Sequence, residues 1–276
     1  MKKLFYFCAK INTISMNKEE KIKRTKINYL IQNTPKGFVL LSSWLASEGY
    51  PYELQQRYRE SGWLKSIGKG AMIKTGDSLF LSGAIASLQE QSKLNIHFGG
   101  RSALGLTGAA HYLQINSGKI EETLFIENKS LLPTWFVNNQ WDRNMKIYTA
   151  SLFEDDEAGL INYQDRELTM KISNKARAIM ECLSLCPQKF SLTEVYEIME
   201  GLITLNPTQI QTLLEQCKSI KVKRLFLFFA ERANHPWFEF LNTKIIDLGR
   251  GVRSLVKEEG VFVSKYQIVI PKKLIA

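Results

Sequence analysis

The chain has 276 residues, a net charge of +10, 45% hydrophobic residues and 23% charged residues. These proportions belong to a globular protein long enough for two domains, and they exclude a mainly disordered or fibrous chain. No apolar run approaches the roughly 18–20 residues that a membrane-spanning helix needs, and the longest greasy stretch runs only from Leu225 to Ala230.

The opening MKKLFYFCAKINTISM has a basic start and an apolar patch, Leu4 to Ala9, that Lys10 ends. That patch is shorter than the roughly 7–15 residues of a secretory leader core. Residues 1–17 are therefore expected to be a disordered extension, with Met16 opening a more ordinary start. The positive charge lies at the two ends. Residues 18–76 carry eleven Lys/Arg against five Glu, residues 77–216 carry eleven basic against seventeen acidic groups, and residues 217–276 carry twelve against five. Basic blocks built into a folded unit raise the expectation of nucleic-acid contact.

Asn17 can cap a helix running from Lys18 to about Gln32, with Ile22, Ile27, Leu30 and Ile31 at helical spacing and Pro35 and Gly37 ending it. Phe38 to Leu40 read as extended. Ser42 or Ser43 caps a short helix closed by Gly49, and Pro51 opens a third helix, YELQQRYRES, closed by Gly62. On this third helix Tyr50, Leu54 and Tyr58 fall together toward the core. Tyr52, Gln55, Gln56 and Arg59 share the opposite face, with Arg57 beside them. Gln can bond adenine through two hydrogen bonds, and Arg can bond guanine or a phosphate.

Next, WLKSIGKGAMIK reads as a hairpin with Lys69 between two glycines at its tip and Lys65 and Lys74 on its arms. Two short helices and a basic hairpin make a winged helix-turn-helix. In such units the second helix of the pair enters the major groove and wing cations hold phosphate. Residues 18–76 are therefore read as a DNA-binding domain. The same fold also serves as a protein-docking or dimer module.

The rest, 77–276, reads as a larger mixed α/β domain, making the whole an α+β protein. A helix is expected from Asp77 or Ser78 and a short strand over Leu94–Phe98. Gly99-Gly100-Arg101-Ser102 then lead into another helix, a possible anion cradle. It lacks the GKS/T of a phosphate loop, and no suitably paired acids follow to hold Mg²⁺. Strands are expected over 122–127 and 145–153, with an aromatic-flanked stretch from Trp135 to Trp141. The run Glu154-Asp155-Asp156-Glu157 reads as a solvated loop.

Ser173 caps a helix on which Arg177 and Glu181 can pair at the surface. Ser191 with Glu194 forms a capping box, Asn206-Pro207 starts the next helix, and Ser219 starts IKVKRLFLFFAERAN. Lys221, Lys223 and Arg224 sit at the end of that helix where the dipole disfavours cations, which marks them as a candidate surface for an anionic partner or as an exposed basic rim. Two closing strands are expected near 252–256 and 266–270.

The four cysteines, at 8, 182, 186 and 217, have no CxxC spacing. With only three scattered histidines they offer no zinc set, and they read as reduced thiols of a cytoplasmic protein. His97, His111 and His235 have no Ser or Cys partner motif, and GxSxG and HExxH are absent. The chain is read as a non-enzyme, with no metal and no cofactor.

The sequence resembles the AbiEi antitoxins of type IV (abortive infection) toxin–antitoxin systems from about Ile27 to the C-terminus. The resemblance rests on the order and spacing of LSSWLASEGYPYELQQRYRESGWLKSIGKGAMIKTGD, HFGGRSALGLTGAAHYL, ISNKARAIMECLSLCPQ, YEIMEGLITLNP, KVKRLFLFFAERANHPWF and KYQIVIPKKL. It implies an N-terminal winged helix that represses its own operon by binding inverted repeats upstream. It also implies a C-terminal antitoxin domain that opposes a nucleotidyltransferase-like toxin without a stable complex. Arg101, Lys221, Lys223 and Arg224 are the candidate antitoxin surface. Two alternatives stand beside this reading: a nucleotide-binding or nucleotidyl-transfer enzyme built on the Gly-Gly-Arg-Ser turn, and an antitoxin that docks on its toxin directly.

Overall fold

A computed structural model describes residues 26–109, 121–256 and 259–275. The expected extension 1–17, the first turns of the helix expected from Lys18, Cys8 and His111 lie outside the described residues. The chain divides into two compact units: 1–96 with 128–143 and 162–171, and 97–127 with 144–161 and 172–276.

The first unit opens with α1 (Lys26–Asn33), β1 (Leu40–Leu41), α2 (Ser42–Ser47), α3 (Tyr52–Glu60), β2 (Leu64–Gly68) and β3 (Ala71–Lys74). β3 lies antiparallel between β1 and β2, with Leu40 opposite Met72 and Leu64 opposite Lys74. This is the element order of a winged helix, as expected. Both helices of the pair end as the glycines indicate. After α2, Gly49 adopts φ 84° while its N–H donates to Ala46 O and that of Tyr50 to Leu45 O. After α3, Gly62 adopts φ 73°, with its own N–H on Arg59 O and that of Trp63 on Tyr58 O. A left-handed residue followed by this bond pair closes a helix and satisfies its last carbonyls. The expected Ser caps do not form: Leu41 is the N-cap of α2 and makes no side-chain bond.

Helix α4 (Leu81–Gln91) starts later than expected, after Phe80, and also belongs to this unit. Its Ser87 Oγ accepts from Val39 N at 2.9 Å, while Gln91 Oε1 accepts from Leu41 N at 2.8 Å and its Nε2 donates to Val39 O at 2.6 Å. Backbone groups on the open side of β1 are thus paired by side chains instead of a strand. Gly83 permits the crossing, since a Cβ there would sit 2.1 Å from Gly37 O. The unit therefore runs past the boundary expected at residue 76.

The second unit carries β4 (His97–Phe98), α5 (Gly100–Leu106), β5 (Glu121–Ile126) and β6 (Asn144–Thr149). β5 and β6 are parallel from Glu121/Asn144 to Ile126/Thr149, and β4 is antiparallel to β5. Sequence reading missed the pair β7 (Leu160–Asp165), which is mostly polar, and β8 (Leu168–Ser173), where buried Leu168, Met170 and Ile172 alternate with Thr169 and Lys171; residues 162–171 of this pair belong to the first unit.

Four helices follow: α7 (Lys175–Leu185), α8 (Leu192–Glu200), α9 (Pro207–Gln216) and α10 (Ile220–Arg232), the label α6 being kept for Thr134–Asn138 of the first unit. Asn206 and Ser219 cap α9 and α10 as expected, each accepting a backbone N–H. Asn174, not Ser173, caps α7, and Ser191 makes no cap bond. Phe226, Phe229, Leu225 and Leu227 of α10 are fully buried at the centre of this core. Cys182, Cys186 and Cys217 are free and buried in it. The chain closes with β9 (Arg253–Ser254), β10 (Gly260–Val263) and β11 (Ile268–Pro271); β11 pairs antiparallel with β10 and parallel with β9. The strand β10 lies between the two closing strands that were expected. No helix among the described residues is long and apolar enough to cross a membrane.

Candidate nucleic-acid interface

Helix α3 and the β2–β3 wing frame an open cleft of about 310 Å³ lined by Ser42, Arg59, Ser66, Gly68, Lys69, Gly70, Ala71 and Met72. Two expected DNA-contacting cations, Arg59 of α3 and Lys69 of the wing tip, thus face one cleft. Arg59 rests on the wing, its Nη1 3.3 Å from Met72 Sδ. Tyr52, Gln56, Arg57, Arg59, Lys65 and Lys69 are all exposed. Among the described residues no carboxylate forms an ion pair with Arg57, Arg59, Lys65 or Lys69. Gln56 Nε2 donates to Glu60 Oε1 at 2.8 Å, one turn on and equally exposed. The result is a cationic, solvent-facing surface whose positive charge is available to phosphates.

Two of the expected contact residues are not available. Gln55 is fully buried. Its Nε2 donates to Ser42 O at 2.9 Å and Tyr50 O at 2.7 Å, and its Oε1 accepts from the Ser42 hydroxyl. All its polar capacity is spent inside the turn between α2 and α3, so it fixes the angle of the helix pair and reads no base. Lys74 is also withdrawn: its Nζ donates to Thr34 O at 2.8 Å and lies 3.8 Å from the Asp77 carboxylate. It ties the end of α1 to β3.

The candidate surface in the second unit is corrected more thoroughly. Arg224 is 1% exposed and Lys223 is buried. Arg224 donates from Nε to Leu248 O at 2.7 Å and from Nη1 to Gly251 O and Gln267 O at 2.7 and 2.9 Å. Lys221 Nζ donates to Ser184 O and Cys186 O at 2.6 and 2.7 Å, covering the last carbonyls of α7. Lys221 and Arg224 at the positive end of α10 are thus compensated by carbonyl oxygens of neighbouring segments, and with Lys223 buried the three do not form an exposed basic rim. Arg101 is ion-paired to Glu194 and lies over the Phe190 ring at 4.2 Å.

The Gly-Gly-Arg-Ser turn does bind an anion, and the anion belongs to the chain itself. Gly100 N donates to Glu181 Oε2 at 2.8 Å, and a Cβ on Gly99 would stand 2.3 Å from the same oxygen. Ser102 Oγ accepts from Thr123 N at 2.7 Å. His97 Nε2 at 3.0 Å, Ser173 Oγ at 2.9 Å and Arg177 Nε at 2.8 Å complete the shell of the buried Glu181. Arg177 also donates from Nη1 to Asp156 O and Ala158 O, so the acidic run is pinned through its backbone. The Arg177–Glu181 pair expected at the surface is therefore buried. Burial pushes the Glu181 carboxyl up, but the His97 ring and the Arg177 guanidinium outweigh it and hold the group at about 2. The Gly100 N–H at the start of the turn is thus already taken by this carboxylate. Among the described residues no group of three or more His, Cys, Asp or Glu is arranged to hold a metal ion.

Sequence reading missed Ser42 and Ser66 in the cleft, short polar residues without a pattern of their own. It also left the Trp135–Trp141 stretch without a role, although its aromatic density was visible.

Two family models match the chain. One, described as a transcriptional regulator, AbiEi antitoxin N-terminal domain, covers residues 23–115. The other, described as a transcriptional regulator, AbiEi antitoxin of a type IV toxin–antitoxin system, covers 120–271. No curated protein matches. Among solved structures, the crystal structure of the RV2827C protein from Mycobacterium tuberculosis is similar, with a TM-score of 0.53 at 12% identity over 88% of this chain and 89% of that one. At that identity the likeness is one of fold.

Proposed function

Because the chain belongs to the AbiEi family of transcriptional-regulator antitoxins of type IV toxin–antitoxin systems, we propose that its winged helix binds inverted repeats upstream of its own operon and represses it. In this reading Tyr52, Gln56 and Arg59 of α3 meet the base edges, with Arg57 beside them, and Lys65 and Lys69 of the wing hold backbone phosphates. The observation that carries the reading is the shared cleft lined by both Arg59 and Lys69, with which no carboxylate among the described residues forms an ion pair. The second unit counteracts a nucleotidyltransferase-like toxin without forming a stable complex with it, and the protein works in the cytoplasm without catalysis, metal or cofactor. The filled Gly-Gly-Arg-Ser turn speaks against nucleotide chemistry there, and the burial of Lys223 and Arg224 speaks against direct docking through that helix.

The test is a gel shift of the full chain on its own upstream region, against random DNA, at two salt concentrations. Stepwise shifts that survive competitor are expected, and each well-placed base contact contributes about 1–3 kcal/mol of discrimination. Unchanged binding by an Arg59→Glu/Lys69→Glu chain would overturn the placement.

A further inference from the structure

The wing is held by residues far from it in sequence. Between β5 and β6 the chain runs through 128–143, which belongs to the first unit. This segment carries the short helix α6, from Thr134 to Asn138, packed against β2. The β2–β3 ladder is irregular: Ser66 faces Met72 and Gly68 faces Ala71, which leaves Ile67 as a bulge. A bulge costs a ladder bond and turns the strand beyond it. Here Asn139 restores the lost bond, its Nδ2 donating to Ile67 O at 3.0 Å and to Trp135 O at 2.7 Å.

Trp135 is 4% exposed and touches the next wing residue so closely that a Cβ on Gly68 would lie 2.7 Å from its own Cβ. Trp135, Phe136 and Trp141 pack on one another with ring centroids 5.1–6.2 Å apart. Asp142 Oδ1 accepts from Leu81 N at 2.9 Å and anchors the far end of the segment on α4. The bulge and its clamp stand immediately before Lys69.

We infer that Trp135 and Asn139 are positioning residues of the DNA-binding unit: they seat the bulged wing so that Lys69 is aimed beside Arg59. The inference rests on the DNA-binding reading and extends it to a segment outside the winged helix itself. It implies that a chain cut after the hairpin, or after residue 115, keeps α3 but loses the wing's pose.

The test uses the full chain with Asn139→Leu, which keeps the side-chain size, adds no charge and loses both N–H donors, and Trp135→Leu as the second variant. Three quantities are measured: amide hydrogen exchange of the wing without DNA, affinity for the upstream region across a salt series, and the melting temperature. Asn139→Leu should speed exchange at 64–74, weaken DNA binding about 3- to 10-fold, as loss of one or two hydrogen bonds allows, and lower the salt slope by about 0.9 for one phosphate contact. The order of preference among operator variants should stay unchanged, because α3 still reads the bases. Unchanged wing exchange, or an affinity loss with an unchanged salt slope, would overturn the inference, since general destabilisation gives the latter. If the unmutated chain shows no specific shift, the DNA-binding reading falls, and the exchange data alone decide whether the clamp seats the wing.

Discussion

Gln55 is bonded to Ser42 at two points, donating to its carbonyl at 2.9 Å and accepting from its hydroxyl. The angle between α2 and α3 therefore depends on a single buried amide. Gln55→Ala should cost about 1–3 kcal/mol by leaving buried carbonyls without a donor. It should lower the melting temperature and weaken all DNA sites together. Gln56→Ala, one residue on and exposed, should leave the melting temperature unchanged and relax sequence preference. Thermal melting paired with gel shifts on operator variants separates the two.

Lys69 and Lys74 make a similar contrast on the wing. Lys69 is exposed at the tip, and its replacement by Ala should lower the salt slope of binding by about 0.9 with no preference among sequences. Lys74 is spent on Thr34 O and Asp77. Lys74→Ala should leave the slope unchanged while shifting the melting temperature down. A salt titration of each variant gives the answer.

Arg224 holds three carbonyls from two separate segments, Leu248 and Gly251 before β9 and Gln267 before β11, with one planar group. Arg224→Ala strands buried acceptors and should destabilise the second unit by about 1–3 kcal/mol for each carbonyl left without a donor. Arg224→Lys should recover little, because an ammonium lacks the fixed fork that reaches all three. Denaturant unfolding of both variants tests this, and any loss of antitoxin activity should follow the loss of fold.

Glu181 gives the protein an acid sensitivity. Its carboxyl is held at about 2 when folded, below the ordinary value of about 4.3. A group depressed by folding contributes stability that is present above the ordinary value and is lost as pH falls toward the folded one. Stability should therefore decline from about pH 5 down to about pH 2. In Glu181→Gln that part of the acid limb should be flattened and overall stability lowered. Urea midpoints measured at several pH values check the slope.

The sequence by itself determined the elements whose cause is local. Gly49 and Gly62 close their helices because a left-handed residue is needed there and glycine adopts it at least cost. Gly68-Lys69-Gly70 turns the wing, and Asn206-Pro207 starts α9 through a side-chain acceptor and a ring with no N–H to lose. What the tertiary structure alone decided is which polar groups remain in water. On a helical wheel Gln55 lies about 60° from both Tyr52 and Tyr58, so periodicity cannot place it, and the position of α2 buries it. Lys223 and Arg224 look like a surface cluster, yet both are buried, and carbonyls of distant segments close over Arg224.

The anion-binding turn at Gly99-Gly100 was legible as a turn, but its ligand, Glu181, comes from a helix some eighty residues on. The wing's clamp at Trp135 and Asn139 lies about as far from it in sequence. Burial of a charge or an amide is tolerable only when partners from elsewhere in the chain arrive to compensate it. Those arrivals are long-range events that a local pattern does not encode.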